Sequence, residues 1–487
     1  MEINSLLKNT SYIDKNFNEN FDIENLCIDS RKECKNAIFF AVKGSKSDGN
    51  KYIRQALKNG AIVVVTNKKP KIKCNYILCS DVNLLKAEIC YNFYNLKCCP
   101  KLIGVVGTNG KTTITYLLKN IFEYANKKVG VIGTLGVLYD GKELNFDMTT
   151  PDAILISKIL QDMQNKGVEY CFIEVSAHAI EQKRVAHLYF ETLIFTNCTH
   201  DHLDYFKTFD EYKKVKKSVF TKENCKNAVI NTDDKVGFEI IKESDCENFV
   251  YGLNNPSDVF AVKINQTLNG LTFTINLFDY IEFVSVKLIG EYNVYNVLAC
   301  LTASALNGIT NKQAINSLIY FDGVKGRNEF ISNYNGADIF VDYAHTPDGI
   351  ENTLKTFKNL CKNKLIVIFG CGGNRDSKKR KIMGEIASKY ADFIIITSDN
   401  PRNENPNKII KQIEKGVKIH TNNYLLIENR YLATKYGVKM LKNGDILCVL
   451  GKGAETSQEI KGKKIMYSDK EVIKNIIKNG GENNWKA

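Results

Sequence analysis

The run LIGVVGTNGKTT at residues 102–113 is the most informative part of this sequence. Its apolar first half predicts a buried strand, and a helical pattern follows its glycine-containing turn. Gly107 and Gly110 let backbone N–H groups close around phosphate oxygens, and the helix N-terminus adds a favourable dipole. Lys111 can reach the terminal phosphates and Thr112 can hold Mg²⁺. The stretch therefore predicts a cradle for a nucleoside triphosphate between a strand and a helix.

Short β-branched runs alternate with longer amphipathic stretches through the rest of the sequence. Such alternation is typical of parallel sheets covered by helices, whose ligands bind beyond the carboxyl ends of the strands. A chain of 487 residues is also too long for one hydrophobic core. We expect an α/β protein of three domains, with breaks near Pro100 and near 332–336. The predicted strands include 61–65, 102–106, 129–132, 171–175, 193–196, 365–369, 393–397 and 446–450.

Composition limits the classes of protein to which the chain can belong. Hydrophobic residues make up 44% and charged residues 25%, as in packed globular proteins. The formal charge of +13 comes from Lys interspersed with Asp and Glu, without a basic block interleaved with aromatics, so we expect no nucleic-acid partner. The N-terminus lacks the apolar core of a secretory signal, and no apolar run is long enough to span a bilayer. We expect a cytoplasmic monomer with no membrane partner.

A carboxylate and an imidazole are the candidate ligands for a divalent ion. Glu174 follows the apolar residues 171–173, and His202 follows the predicted strand 193–196 within the run NCTHDHLD. Both side chains would project from the carboxyl ends of strands toward the phosphate loop, where they can complete the coordination of an ion beside the nucleotide. The 15 cysteines, by contrast, are scattered without C-x-x-C spacing, and we expect them to be reduced and mostly buried.

The run GTNGKTT at residues 107–113 resembles the nucleotide loop of the Mur ligases and of the folylpolyglutamate synthetases, with Val105 where a standard P-loop has its first glycine. Over nearly its whole length the chain resembles the Mur ligase family, in particular the MurE type, which adds the third residue to UDP-N-acetylmuramoyl-L-alanyl-D-glutamate. That resemblance implies a central P-loop-type, mostly parallel sheet flanked by two smaller Rossmann-like α/β domains. It places the UDP substrate on residues 1–98, ATP on 99–332 and the incoming amino acid on 333–487.

The resemblance assigns roles to individual residues. KKSVF at 216–220 resembles the motif whose lysine is carbamylated in Mur ligases, so Lys216 would bind Mg²⁺ as a carbamate together with Thr112, Glu174 and His202. The expected catalytic residues are Lys111, Glu174, His202 and Lys216. The expected ATP contacts are Gly107, Thr108, Asn109, Gly110, Lys111, Thr112, Thr113, Asn296, Arg327, Asp342 and His345. The expected contacts of the UDP group are Ser30, Ser45, Lys46 and Ser47, and those of the muramoyl peptide are Thr149, Thr150, Ser176, Gln182 and Arg184.

Three glycine- and charge-rich runs in the last domain predict a pocket for a zwitterion. A guanidinium can clamp a carboxylate through two parallel bonds, and a carboxylate can hold an ammonium. DNPR at 399–402 resembles the signature of relatives that add meso-2,6-diaminopimelate. Lysine lacks the distal carboxylate of that substrate and would leave a buried arginine unpaired, at a cost of several kcal/mol. The expected acid-binding residues are Arg375 and Arg402, the expected amine-binding residues are Asp399 and Glu455, and Asn400, Pro401 and Gly451 complete the set.

The resemblance implies an ATP- and Mg²⁺-dependent amide ligase of peptidoglycan precursor synthesis, which activates the D-glutamate carboxylate as an acyl phosphate and joins it to diaminopimelate. Three alternatives stay open: a lysine-adding ligase of the same type, a folylpolyglutamate synthetase-like ligase, and a nucleotide-dependent binding module that makes no amide. A dinucleotide-binding oxidoreductase is disfavoured, because Lys111 follows Gly110 and no G-x-G-x-x-G motif occurs in a βαβ setting.

Overall fold

The computed structural model describes residues 1–44, 47–146 and 148–479. Its strands form three large sheets, which follow one another along the chain, and one two-stranded ribbon. The inner strands of each large sheet, such as 37–40, 102–106 and 446–450, are covered on both faces, which is why they read as continuous apolar runs in the sequence. The prediction of a three-domain α/β fold is confirmed. No helix among these residues has both the length and the apolar character that a bilayer crossing requires.

A five-stranded sheet forms the first domain. Its elements are α1 (Ile3–Leu6), β1 (Tyr12–Lys15), β2 (Asn25–Cys27), β3 (Ala37–Phe40), α2 (Ile53–Lys58), β4 (Ala61–Thr66), β5 (Asn75–Cys79) and α3 (Val82–Phe93). The strand order is β1-β5-β4-β3-β2, and only β1 is antiparallel to its neighbour. Ile38 and Phe40 belong to one core cluster, and Ala37 and Phe39 belong to another. The loops after β2 and β3 and the start of α3 therefore meet at one edge of the sheet.

Two cysteines bracket the turn after β2. Cys27 and Cys34 form a disulfide around the turn that carries Ser30. The expectation of reduced cysteines is wrong for this pair, because the turn brings the two Cα atoms to 6.0 Å, within the range that a disulfide spans. Buried thiols such as Cys171 and Cys448 agree with the expectation.

An eleven-stranded sheet forms the central domain. Its strands are β6 (Lys101–Val106), β7 (Val129–Gly133), β8 (Gly136–Tyr139), β9 (Lys142–Leu144), β10 (Tyr170–Val175), β11 (Phe190–Phe195), β12 (Cys225–Asn231), β13 (Glu247–Gly252), β14 (Val259–Thr267), β15 (Gly270–Leu277) and β16 (Tyr280–Val286). Its helices are α4 (Lys111–Tyr124), α5 (Ala153–Asn165), α6 (Ala177–Glu181), α7 (Leu203–Phe206), α8 (Phe209–Lys217), α9 (Lys235–Glu243), α10 (Tyr292–Leu306) and α11 (Asn311–Ser317). The strand order is β16-β15-β14-β13-β12-β11-β6-β10-β7-β8-β9.

The inner strands are parallel to one another in the order β7-β10-β6-β11-β12-β13-β14. Antiparallel strands extend the two edges of the sheet, β8 and β9 beyond β7 and β15 and β16 beyond β14. The central strand β6 faces two cores: Ile103 and Val105 lie in one cluster, and Leu102 and Val106 lie in the other. The phosphate loop leaves this strand at the carboxyl edge of the sheet, where α/β proteins bind ligands.

Helix α10 closes the core above α4. Val297 and Leu301 of α10 share one buried cluster with Ile114 and Leu118 of α4. Cys300 Sγ donates to Ile114 O at 3.5 Å, although the two residues are 186 positions apart. The helix that begins at the phosphate loop is therefore supported by a segment that comes much later in the chain.

A six-stranded sheet forms the last domain. Its strands are β17 (Glu329–Tyr334), β18 (Ala337–Asp342), β19 (Leu365–Phe369), β20 (Phe393–Ile396), β21 (Tyr424–Leu426) and β22 (Ile446–Leu450), followed by the ribbon β23 (Ser457–Ile460) and β24 (Lys463–Met466). Its helices are α12 (Pro347–Leu360), α13 (Lys378–Tyr390), α14 (Pro406–Val417), α15 (Arg430–Lys439) and α16 (Asp469–Lys478). The order is β17-β18-β22-β19-β20-β21, with only β17 antiparallel. β17 begins before residue 333, where the sequence placed the start of this domain.

Candidate active site

The phosphate loop has the strand–turn–helix geometry that its sequence predicts. β6 ends at Val106, and Gly110, in a left-handed conformation with φ +88°, caps α4. A Cβ at Gly107 would lie 1.8 Å from Thr196 Oγ1, and one at Gly110 would lie 2.5 Å from Asn296 Oδ1, so neither position has room for a side chain. The loop thus presents backbone N–H groups without side-chain obstruction, as an anion cradle requires.

Lys111 folds over its own loop. Its Nζ donates to Gly107 O and to Thr108 O, each at 2.8 Å, and burial lowers the pKa of Lys111. Thr112 and Thr113 are buried in the first turn of α4. A bound triphosphate would offer this ammonium phosphate oxygens in place of the two loop carbonyls.

Lys216 is a buried lysine on α8 that points at the phosphate loop. Its Nζ donates to Thr108 Oγ1 at 2.7 Å and to Asn197 O at 3.5 Å, and it lies 4.1 Å from the centroid of the Tyr212 ring. Burial lowers the pKa of Lys216 to about 7. A lysine with this pKa is partly neutral near pH 7, and only the neutral amine can add CO₂. The environment therefore suits the predicted carbamate.

Glu174 and His202 lie beside the loop on different elements. Glu174 is inside β10 rather than after it, and its two carboxylate oxygens accept from the N–H and the hydroxyl of Thr134, each at 2.9 Å. Thr134 Oγ1 also lies 3.2 Å from Thr149 Oγ1. His202 Nε2 lies 3.4 Å from Asp201 Oδ2. Burial holds the pKa of His202 well below its ordinary value, so its ring is neutral and able to bind a metal.

The four expected catalytic side chains are close enough to influence one another electrostatically. Burial lowers the pKa of Lys111, and the charge of Glu174 opposes that shift. The charge of Lys111 adds to the effect of burial in lowering the pKa values of Lys216 and His202. Across the described ranges, no three His, Cys, Asp or Glu side chains gather as a metal cage. A set of hydroxyl, carboxylate, carbamate and imidazole ligands fits Mg²⁺, which completes its shell with water and phosphate oxygens rather than with an all-protein cage.

Four of the residues expected to contact the muramoyl peptide form one hydrogen-bonded cluster. Thr150 Oγ1 donates to Glu174 O at 2.7 Å and accepts from Ser176 N at 3.1 Å. Arg184 Nη1 donates to Thr150 O at 2.6 Å, and Arg184 Nη2 donates to Gln182 Oε1 at 2.7 Å. The cluster is thereby fastened to the strand that carries Glu174, next to the phosphate loop.

The last domain reaches the phosphate loop directly. Arg327 Nη2 donates to Thr112 Oγ1 at 3.0 Å, and the Arg327 guanidinium lies 4.4 Å from the centroid of the Tyr343 ring. Asn109 Nδ2 donates to Asp348 Oδ2 at 2.6 Å. Two residues of the loop are therefore bonded across the cleft between the domains.

Further expected nucleotide contacts surround this junction. Asp342 ends β18, its Oδ2 accepts from Asn328 N at 2.7 Å, and burial raises the pKa of Asp342. His345 Nδ1 lies 2.7 Å from Tyr343 O. Asn296 lies on α10 beside the phosphate loop. The charge of Arg327 acts on both Asp342 and His345, so these two residues lie near the guanidinium that donates to Thr112.

The two expected acid-binding arginines lie on either side of one glycine. A Cβ at Gly372 would be 3.0 Å from Arg402 Nη1 and 3.8 Å from Arg375 Cγ. Arg402 Nη1 donates to Gly373 O at 2.7 Å, and Arg402 Nε lies 3.2 Å from Glu459 Oε2. A substrate carboxylate placed near Gly372 would meet the Arg402 guanidinium, and the aliphatic stem of Arg375 lies beside the same point.

A buried lysine that the sequence analysis missed organises the amine-binding side. Lys452, with no exposed surface, donates from Nζ to Glu455 Oε2 at 2.7 Å and to Asn400 Oδ1 at 3.2 Å. Asn400 Nδ2 also donates to Glu455 Oε2, at 2.9 Å. Burial alone would raise the pKa of Asp399, but the charges of Lys452 and Arg430 outweigh it and lower that pKa. The lysine between two glycines in the run GKG was the available signal.

Backbone contacts bring the three predicted runs of the last domain together. A Cβ at Gly373 would lie 1.9 Å from Pro401 O, and one at Gly451, where φ is +108°, would lie 2.7 Å from Asp399 Oδ2. Close approach of this kind requires glycine at both positions. The runs at 370–376, 399–402 and 451–455 therefore form one pocket wall.

Charged pairs connect that wall to the loop that carries His202. Arg375 Nη1 lies 3.9 Å from Asp204 Oδ2, and Lys379 Nζ lies 3.8 Å from Asp201 Oδ1. Lys379 was not predicted, because nothing in the sequence separates it from its neighbouring lysines. The pocket wall and the phosphate loop thus face the same interdomain cleft.

The residues expected to bind the UDP group lie at the edge of the first sheet. Ser30 Oγ donates to Gln55 Oε1 at 3.0 Å, and Ser47 O accepts from Gly44 N at 2.8 Å. Ser45 and Lys46 lie outside the described residues. The loops after β2 and β3 are neighbours, but their role in binding UDP stays a prediction.

Three domain families of known proteins match the chain in order. The Mur ligase family, catalytic domain, matches residues 22–92; the Mur ligase middle domain matches 105–304; and the Mur ligase, glutamate ligase domain, matches 326–453. Together they follow the three sheets of the structure.

Curated relatives and solved structures agree over the full length. UDP-N-acetylmuramoyl-L-alanyl-D-glutamate--2,6-diaminopimelate ligase 1 of Clostridium acetobutylicum is 40% identical over 464 residues, covering 94% of this chain and 95% of its own. The 2,6-diaminopimelate ligase of Clostridium tetani is 41% identical over 488 residues, covering 98% and 99%. A solved structure of such a ligase has a TM-score of 0.68 at 30% identity and covers 95% of this chain and 96% of its own. The chain therefore belongs to the Mur ligase family.

Proposed function

We propose that this chain adds meso-2,6-diaminopimelate to the D-glutamate of UDP-N-acetylmuramoyl-L-alanyl-D-glutamate, with ATP as the energy source, in the synthesis of peptidoglycan precursors. The observation that carries the proposal is the junction of the phosphate loop with the last domain, through Arg327 to Thr112 and Asn109 to Asp348. This junction supports a single cleft that holds both the nucleotide and the amino acid. The names of the 40%-identical relatives support the choice of substrates.

The chemistry begins with the activation of a carboxylate. An oxygen of the D-glutamate side chain attacks the γ-phosphorus of ATP, the bond to the β-phosphate oxygen breaks, and ADP leaves, so that an acyl phosphate forms. Lys111 neutralises charge on the transferred group, and the loop N–H groups hold the remaining phosphates. Thr112, Glu174, His202 and Lys216 as its carbamate would hold Mg²⁺, which would offset phosphate charge.

Amide formation completes the reaction. The amino group of diaminopimelate attacks the acyl carbon, and the tetrahedral intermediate expels inorganic phosphate and loses a proton. Arg375 and Arg402 would hold acid groups of the amino acid, while Asp399 and Glu455 would hold an ammonium. Since the amine and the acyl phosphate sit on different domains, the cleft must hold them in contact during the reaction.

A carbamate on Lys216 is supported by the surroundings of its amine. The ammonium first loses one proton, and the neutral amine then adds to the carbon of CO₂ and releases a second proton, so that a buried cation becomes an anion. That anion would be stabilised beside Lys111 and Mg²⁺, whereas the ammonium form is disfavoured by burial. We place the enzyme in the cytoplasm, because its substrates are cytoplasmic metabolites, and we propose that it acts as a monomer.

One assay tests the proposal. The purified chain is supplied with ATP and UDP-N-acetylmuramoyl-L-alanyl-D-glutamate, and diaminopimelate or lysine is added in separate arms while phosphate release and product mass are followed. We expect release that depends on both co-substrates, a product enlarged by one diaminopimelate residue, and a lysine arm slower by roughly 100-fold or more. Equal use of lysine would overturn the specificity, and phosphate release from ATP alone would favour a binding module.

A further inference from the structure

The first and central domains meet along a tightly packed seam between α3 and the start of α5. Ala87 and Cys90 of α3 share a small buried cluster with Ala153 of α5, and Ile154 and Ala186 border it. Short side chains let the two elements approach closely. The seam is apolar at its centre, unlike the charged contacts of the last domain.

A buried ion pair crosses this seam. Lys86 Nζ donates to Asp152 Oδ2 at 2.6 Å, and the two side chains are only 3% and 20% exposed. The other oxygen of Asp152 accepts from Ile154 N and caps α5. An unpaired buried ammonium is strongly unfavourable, so Lys86 keeps α3 in register with the start of α5.

A second pair supports the same arrangement. Glu88 of α3 lies 3.2 Å from His187 Nε2 in the central domain, and its other oxygen accepts from both the N–H and the hydroxyl of Ser11. The side chain of Glu88 is 7% exposed. Two residues of α3 with opposite charges, Lys86 and Glu88, therefore each contact the central domain across the seam.

The Lys86–Asp152 pair connects the two places where one substrate would bind. In the first domain, β2, β3, β4 and β5 are parallel, so α3 starts at the sheet edge that carries Ser30 and Ser47. In the central domain, Asp152 follows Thr150 closely, and Thr150 O accepts from Arg184 Nη1. One ion pair thus joins the UDP-binding edge to the loop expected to hold the peptide acid.

We propose that Lys86 and Asp152 are positioning residues that fix the spacing between the UDP-binding loops and the acid-binding cluster. Binding of the UDP group then places the D-glutamate carboxylate at the phosphate loop instead of only adding affinity. Binding energy from a remote part of a substrate can increase the rate of reaction only when the two binding surfaces are rigidly connected. A misplacement of the reacting group by about 1 Å can lower the rate roughly 100-fold. The inference rests on the proposed function.

The test compares two substrates that differ only at the remote end. UDP-N-acetylmuramoyl-L-alanyl-D-glutamate and N-acetylmuramoyl-L-alanyl-D-glutamate are each assayed with saturating ATP and diaminopimelate, and the ratio of their kcat/KM values measures the benefit of the UDP group. Lys86→Met removes the charge at similar length, and Asp152→Asn removes it while keeping a side chain that caps α5 well. The matched control is Lys127→Met, which breaks the exposed pair with Glu169 in the central domain.

In Lys86→Met and Asp152→Asn, the benefit of the UDP group should fall by roughly 10- to 100-fold, while kcat/KM for the shorter substrate stays within about twofold. Lys127→Met should leave both values unchanged. Equal loss on both substrates would reduce the pair to a structural role, and an unchanged ratio would also overturn the inference. If Lys86→Met does not fold, Asp152→Asn decides. Failure of the unmodified chain to use the UDP substrate would instead refute the proposed function.

Discussion

Replacement of Arg402 by methionine should impair the use of diaminopimelate far more than the use of ATP. The Arg402 side chain is 26% exposed, and two of its donors are already engaged with Gly373 O and Glu459. The remaining N–H groups can take a substrate carboxylate in two parallel bonds. ATP is expected at the phosphate loop on the other side of the cleft, so its binding should not depend on this guanidinium.

The size of the effect follows from the bonds that would be lost. A hydrogen bond to a charged group contributes about 1.5–3 kcal/mol, and partial exposure weakens it, so two bonds should be worth about 2–3 kcal/mol in total. That difference corresponds to roughly 30- to 150-fold in kcat/KM for diaminopimelate, with KM for ATP unchanged within about twofold. Arg402→Lys keeps the charge without the fork geometry and should lie between the two.

The assay is steady-state phosphate release, with diaminopimelate and ATP varied in turn. Glu459→Gln is the control for loosening of the loop, because it breaks the ion pair and keeps Arg402; its effect should stay below about fivefold. Equal changes in the KM values for ATP and diaminopimelate would refute the placement of Arg402 in the amino-acid pocket. A loss in Glu459→Gln as large as that in Arg402→Met would do the same.

Three further predictions concern the phosphate loop and its neighbours. Lys216→Ala should lower kcat by at least roughly 100-fold, and added acetate or formate should restore part of the phosphate release by replacing the carbamate; absence of any recovery contradicts the assignment. Because burial lowers the pKa of Lys216 from 10.5 to about 7, the unfolded chain binds more protons between these values. In CO₂-free buffer the free energy of unfolding should therefore increase as the pH rises from about 7 to 10.5. Denaturant titration of Lys216→Met should show no such increase from this residue. Gly107→Ala would put a Cβ 1.8 Å from Thr196 Oγ1, so calorimetric titration should show nucleotide affinity reduced by more than roughly tenfold, and unchanged affinity would count against the cradle.

The parts of the fold that local sequence determines were predictable. The strand, turn and helix around Lys111 follow from a continuous apolar run, two glycines and a helical pattern, all within one stretch of chain. The antiparallel extensions of the central sheet were not predicted in detail, since Phe260, Ile281 and Phe283 on β14 and β16 are exposed and give no clear alternation. Their pairing depends on long-range register rather than on local composition.

The candidate site shows the same division. Four lysines stand close together on α8, and their spacing alone does not say which one is buried; only Lys216 points inward beside Tyr212. The resemblance to the Mur ligases selected it. Lys452 and Thr134 were missed, because Lys452 donates to Asn400 and Thr134 donates to Glu174, partners that are distant in the sequence. Contacts of this kind become visible only when the strands are paired.

The support of α4 by α10 has a consequence for the order in which the protein can mature on the ribosome. Ile114 and Leu118 cannot be covered until α10 has been synthesised, so the nucleotide site is incomplete in every shorter nascent chain. Strands β6 to β13 must wait, with one apolar flank uncovered, while the meander from β14 to β16 and then α10 emerge. The central domain therefore keeps an uncovered apolar face, to which chaperones can bind, until α10 has left the exit tunnel.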